Sequence, residues 1–142
     1  MSAQDLEVID HTVQLTHEWI NELRDRLGWS SSRDALSLLR VTLTQIRDHI
    51  GHDEAAHLSA QMPLLLRGMF FEGWSPAKTP VSDRSGDSFV AAIEERVGHT
   101  LGWRGPEDIT QVFHTLENRI SEGEIADVKA NLPRHIRDLW PD

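Results

Sequence analysis

Leu36-Ser-Leu-Leu-Arg-Val-Thr-Leu-Thr-Gln-Ile-Arg-Asp-His-Ile50 is the stretch on which the fold turns. Leu36, Leu39, Leu43, Ile46 and Ile50 follow one another at steps of three, four, three and four. A chain that turns about 100° per residue stacks these side chains on one face, so the segment reads as an amphipathic α-helix. It begins near Ser32. Ser31 and Asp34 stand at N-cap and N3 spacing, where a hydroxyl accepts an orphan amide and a carboxylate meets the positive end of the helix. No stretch of the chain alternates strictly at period two, so there is no signal for a half-buried strand.

The pattern returns in Ile109, Phe113, Leu116 and Ile120, and it does not return alone. Leu27-Gly28-Trp29 reappears as Leu101-Gly102-Trp103 at an offset of 74 residues, and Asp34 matches Asp108 at the same offset. After a four-residue deletion the offset is 70, and Glu54, Ala56, Ala60, Pro63 and Arg67 match Glu124, Ala126, Ala130, Pro133 and Arg137. Ordered matches of this kind read as a duplicated structural unit. The expected fold is all-α: a tandem duplication of a four-helix unit forming one compact helical domain. Repeat one covers residues 1–73, a linker 74–86, and repeat two 87–142.

Within the first repeat, Leu15, Trp19 and Leu23, with Leu27 just beyond, line one helix face, answered by Phe89, Ile93, Val97 and Leu101. Pro63 and Pro133 disfavour helix in the residue before them and suit the first turn of a new one, so each marks a helix–helix corner. Pro106 opens a helix for the same reason. The segment from Gly73 to Gly86 contains Pro76, Pro80 and three serines with little apolar content, and is expected to be the least rigid internal stretch. Asp87 or Ser88 is expected to cap the helix that follows. The fourth helices differ. Pro63–Glu72 is apolar on nearly every side, which places it at the centre of the molecule; Pro133–Trp140 is amphipathic, which places it on the surface. Trp29 and Trp103 are expected to wedge apart the first two helices of each repeat.

Composition closes off several functions. The chain has 142 residues, the size of one ordinary domain. It has no cysteine, which excludes disulfides, thiol nucleophiles, iron–sulfur clusters and zinc ribbons, and fits a reducing, cytoplasmic setting. The first ten residues lack the basic patch and apolar run of a signal peptide. Twenty-three acidic against fourteen basic residues give a net charge of −9, with acidic excess in both halves. That balance opposes binding to nucleic acid or to an anionic membrane, both of which draw affinity from Lys and Arg.

Few residues suggest chemistry. Glu54-Ala-Ala-His57 has the i, i+3 spacing of carboxylate–histidine metal sites in helical bundles. Such sites repeat the motif, and the counterpart here is Glu124-Ile-Ala-Asp127. Glu124 also completes Ser121-x-x-Glu124, a capping box, and Glu54 holds the same slot, so helix capping is the preferred reading of both. His49, His52 and His57 cluster around a helix–helix turn; to hold one ion together they would need a specific loop geometry and supporting groups, so a solvated turn is the preferred reading. His11, His17, His99, His114 and His135 stand singly. Arg67 and Arg137 read as ion-pair partners in preference to an anion site. The serines at Ser30–Ser32 are caps, and no phosphate loop or nucleophile motif is present. No catalytic residue, cofactor or metal ligand is assigned.

Four features together resemble the bacterial domain of unknown function 2267 family. They are Phe89 and Ile93 in the first helix of repeat two, the Ala60–Pro63 and Ala130–Pro133 corners, Phe70 with Gly73 and Trp74, and Gly123-Glu124-Ile125 through Leu132-Pro133. The resemblance runs from about Val8 to Trp140; Met62 stands where Leu is commoner, and Trp19 is larger than the pattern expects. It implies an all-helical bacterial protein and no activity. The expected function is therefore a small cytoplasmic, non-enzymatic protein-interaction or binding module, with a protein partner or a second copy of itself as its target. The alternative is a carboxylate–histidine metal-binding protein or enzyme using Glu54 and His57.

Overall fold

A computed structural model describes residues 6–83 and 85–141; residues 1–5, Arg84 and Asp142, at the outer ends of the two expected repeats and in the linker, lie outside it. Among the described residues every α or β element is a helix: α1 (Glu7–Leu27), α2 (Ser32–Ile50), α3 (His52–Ser59), α4 (Leu64–Phe71), α5 (Gly86–Val97), α6 (Pro106–Arg119), α7 (Glu122–Asn131) and α8 (Arg134–Arg137). A short 3-10 turn, Pro76–Lys78, lies between α4 and α5.

The helix ends follow local chemistry. The Ser31 hydroxyl accepts the Asp34 amide at 3.1 Å. At the other end of the α1–α2 connection, α1 stops at Gly28, whose φ of 71° is left-handed. That turn lets the Trp29 amide return to the Arg24 carbonyl at 3.1 Å, satisfying an orphan acceptor. Pro63 (φ −53°, ψ 145°) and Pro133 (φ −58°, ψ 151°) sit in extended geometry immediately before α4 and α8. Their carbonyls accept the amides of Arg67 and Arg137 at 2.8 and 2.9 Å. Both corners are thus where the sequence puts them, and Pro106 is the first residue of α6. The cap of α5 differs from expectation. Ser85, not Asp87 or Ser88, holds it by accepting the Ser88 amide at 3.1 Å.

The centre of the molecule is α2, not α4. α2 packs against α1, α3, α4, α5, α6 and α7. It accordingly buries Leu38, Val41 and Thr42 besides Leu39, Leu43 and Ile46, far more than one stripe. α4 is only about two turns long and lies against α1 and α2. It buries Leu66 and Phe70, one turn apart, and leaves Leu64 and Leu65 53% and 41% exposed. The fourth helix of the second half is amphipathic and at the surface as expected, with Arg134, His135 and Arg137 exposed, but it is shorter. α8 is a single turn whose Ile136 is fully buried, and Trp140 beyond it stacks on Phe113 with ring centroids 4.3 Å apart.

Two further expectations fail for local reasons. Leu101 is fully exposed, whereas Leu27 is buried. α5 ends at Val97, the counterpart of Leu23, so Leu101 falls beyond the helix that would have carried it inward. Trp29 does not wedge α1 from α2. Its indole N–H donates to the Gly102 carbonyl at 3.1 Å, tying the first half of the chain to the second. Trp103 instead donates to Glu94 on α5 at 3.1 Å.

Candidate functional site

The α3–α7 seam holds the one group of converging metal-type ligands found among the described residues. α3 is preceded by Gly51, whose φ is 87° and which has no side chain, and the helix has no side-chain cap. Glu54 therefore does not cap α3. Ala55 and Leu58 are buried, and Glu54 lies beside them with its side chain only 12% exposed. On α7 the Ser121 hydroxyl accepts the Glu124 amide at 3.2 Å. The reciprocal half of the capping box is missing. The Ser121 amide donates at 2.8 Å to Oε1 of Gln61, on the turn after α3, and Gln61 donates back to the Ser121 hydroxyl at 3.0 Å. The Glu124 carboxylate is thereby left free of capping, and the capping roles expected for Glu54 and Glu124 are both overturned.

The two carboxylates instead face each other. One ligand atom from each of Glu54, His57 and Glu124 lies within 4.8 Å of the others. Glu54 Oε1 accepts Asn131 Nδ2 at 3.2 Å, but Glu54 Oε2 and Glu124 Oε2 are buried with no donor. Glu124 is 8% exposed. Burial first, then the hydrogen bond and charge of Glu54, then the charge of Asp127 push its pKa up to about 8. Two buried carboxyls at this range hold one negative charge comfortably and two only with a cation between them. His57 stands at the mouth of the pair, its side chain 68% exposed and Nδ1 3.9 Å from Glu54 Oε2. The mouth opens into a pocket of about 470 Å³ whose walls include Gly51, Asp53, Pro80 and Asn131.

The other sequence candidates separate. His49 is buried, with Nδ1 2.6 Å from the Gln45 carbonyl and its ring edge-on to Phe89. His52 Nε2 lies 2.8 and 3.0 Å from the carbonyls of Pro76 and Thr79, so it anchors the linker. Arg67 does not make the expected ion pair. It donates to the carbonyls of Ser59 and Ala60 at 2.9 and 3.3 Å, closing the C-terminal end of α3. The offset of 70 had already made Glu124 the counterpart of Glu54; what sequence reasoning did not find was that the two carboxylates meet, because it gave both to capping.

Residues 16–139, nearly the whole chain, match the family described as "Uncharacterized conserved protein (DUF2267)". The chain belongs to the DUF2267 family. No curated protein matches it. The family description carries no activity, so the DUF2267 chain must be read from its own surface.

A second feature of this DUF2267 chain lies away from the seam. Leu6, Val8, Ile9 and Val13 at the start of α1, with Leu64 and Leu65 at the start of α4, are all exposed. The Thr12 hydroxyl accepts the Leu65 amide at 2.9 Å, which joins the two helix ends. Val8 lies one turn before Thr12 on that side of α1, and Ile9 and Val13 form the adjoining row. No helix among the described residues is long and apolar enough to cross a membrane.

Proposed function

We propose that this DUF2267 protein is a non-enzymatic interaction module of the bacterial cytoplasm, built by tandem duplication of a four-helix unit, whose docking face is the apolar strip of α1 and α4. The observation that carries the reading is the grouping of that strip. Six of the seven large apolar side chains exposed among the described residues lie on these two helix ends. Scattered exposed apolar residues need no explanation, but a joined group of them marks a surface that another protein covers. The matched proline corners support the duplication, and the absence of cysteine suits a reducing compartment.

The occupant we assign is a second copy of the chain. A helical stripe of this kind pairs with itself about a twofold axis, the commonest closed arrangement of soluble oligomers. Light scattering coupled to size exclusion, run over a range of concentrations, tests it. The wild type is expected to be a dimer. Leu64→Arg is expected to give a monomer with unchanged helix content. A wild type that stays monomeric at every concentration overturns self-association, and a Leu64→Arg dimer overturns the assignment of this face.

A further inference from the structure

We propose that Glu54, His57 and Glu124 bind one divalent first-row transition-metal ion, of the class Mn²⁺, Fe²⁺, Co²⁺ or Zn²⁺, across the α3–α7 seam. The assignment goes beyond the interaction reading and stands on different residues.

Three observations carry it. The first is convergence from two helices: one ligand atom of each residue lies within 4.8 Å of the others. Three ligand atoms bonded to one ion at about 2.0–2.2 Å stand about 3–3.6 Å from one another, so binding closes the cluster by about 1 Å. The exposed His57 ring, at the solvent edge, is the group with room to move. The second is the state of Glu124. It is more than nine-tenths buried, no protein group donates to its Oε2, and one of its oxygens lies within 4.8 Å of a ligand atom of Glu54. A buried carboxylate oxygen with no donor is costly, and a cation removes that cost together with the repulsion from Glu54. Capping does not explain Glu124, because Gln61 has taken the Ser121 amide. The third is the donor set. Two carboxylates with one imidazole suit first-row ions, whereas Mg²⁺ and Ca²⁺ prefer oxygen donors alone.

The arrangement also has an outer layer. Asn131 Nδ2 holds Glu54 Oε1 at 3.2 Å, leaving Oε2 for the ion. Orientation of a ligand carboxylate by a neighbouring donor is the usual support of a metal site. Three protein ligands on one side leave the remaining coordination positions facing the pocket beside His57. A bound ion there fastens α3 to α7, and so the two halves of the chain to each other.

The test uses the full untagged chain, stripped with chelator and titrated with Mn²⁺, Zn²⁺ or Mg²⁺ by calorimetry and by thermal melting. Saturable binding of one Mn²⁺ or Zn²⁺ per chain, with a rise in melting temperature, is the expected result. Glu54→Gln and Glu124→Gln should each weaken binding about tenfold or more while retaining helix content. His57→Ala should weaken Zn²⁺ more than Mn²⁺, because the imidazole matters most to the ion that favours nitrogen. His52→Ala, outside the cluster, should leave both affinities unchanged. The proposal is overturned by the absence of saturable binding, by binding that survives both glutamine substitutions, or by Mg²⁺ binding as tightly as Zn²⁺. If Glu124→Gln does not fold, Glu54→Gln and His57→Ala decide the matter alone.

Discussion

Glu22 shows how single side chains join the halves. It sits on α1 and faces α6, where it accepts Arg119 Nε at 2.7 Å and Asn118 Nδ2 at 3.0 Å, while Arg26 on its own helix donates at 2.9 Å. Burial pushes its pKa up, but the three hydrogen bonds and the charge of Arg119 outweigh burial and hold it below the ordinary carboxylate value. A lowered native pKa means that the ionised form is the one folding favours. Its stabilisation is full above the unfolded pKa and is lost as pH falls through the lower native value. Glu22→Gln is expected to cost on the order of 1–3 kcal/mol near neutrality, with the gap from wild type closing in acid. Urea melts at the two pH values measure it; a gap independent of pH would assign the loss to packing. At this scale the sequence showed Glu54 and His57 as an i, i+3 pair but gave Glu124 a different task. Ser121-x-x-Glu124 fits a capping box as well as it fits anything. Only Gln61, sixty residues earlier, decides that the carboxylate is released.

At the scale of elements, the proline corners and the Ser31 cap were legible because proline and serine act locally. The rank of each helix within the molecule was not. An apolar run such as Leu64–Phe71 reports what its side chains avoid, not how many neighbours are available to cover them. α2, which looked like a one-faced helix, proved central. The linker is a similar case. Its composition reads as loose, yet it is tied at several points. Trp74 packs on Phe71 and meets the His52 ring edge-on, its indole N–H donates to the Thr79 hydroxyl at 3.2 Å, and the Val81 amide donates to the Asp48 carbonyl at 2.9 Å. The anchors come from α2 and α3, which a composition window over the linker does not see. Hydrogen exchange separates tied from untied parts. The Val81 amide is expected to exchange at least about tenfold more slowly than that of Ser82, its neighbour, because only the former is held by another element. Equal rates would mean that the tie to Asp48 does not persist, and the looser reading from composition would stand for the whole segment.

Across the whole molecule, the halves meet where α1 packs on α6, where α2 packs on α5, α6 and α7, and where α3 packs on α7. One close approach between the halves is that of Trp29 to Gly102. A Cβ on Gly102 would lie 2.5 Å from Trp29 Nε1 and 2.7 Å from Cδ1, closer than real contacts allow. Gly102 is not in the left-handed region, so its backbone alone would tolerate alanine. Its glycine is required by the indole and not by the turn. The repeated Leu-Gly-Trp therefore has two uses. In the first copy Gly28 provides the left-handed helix end, and in the second Gly102 makes room for the tryptophan of the first. Gly102→Ala is expected to cost about 1–3 kcal/mol through overpacking. Trp29→Ala removes the indole atoms that would clash, at the expense of the hydrogen bond to the Gly102 carbonyl and of the indole's packing. If the two residues act only on each other, the Gly102 alanine costs little once Trp29 is Ala, and the double variant is more stable than the sum of the single losses predicts. Additive losses would show that the alanine strains the turn itself, and would remove Trp29–Gly102 from the contacts that fix one half of the protein against the other.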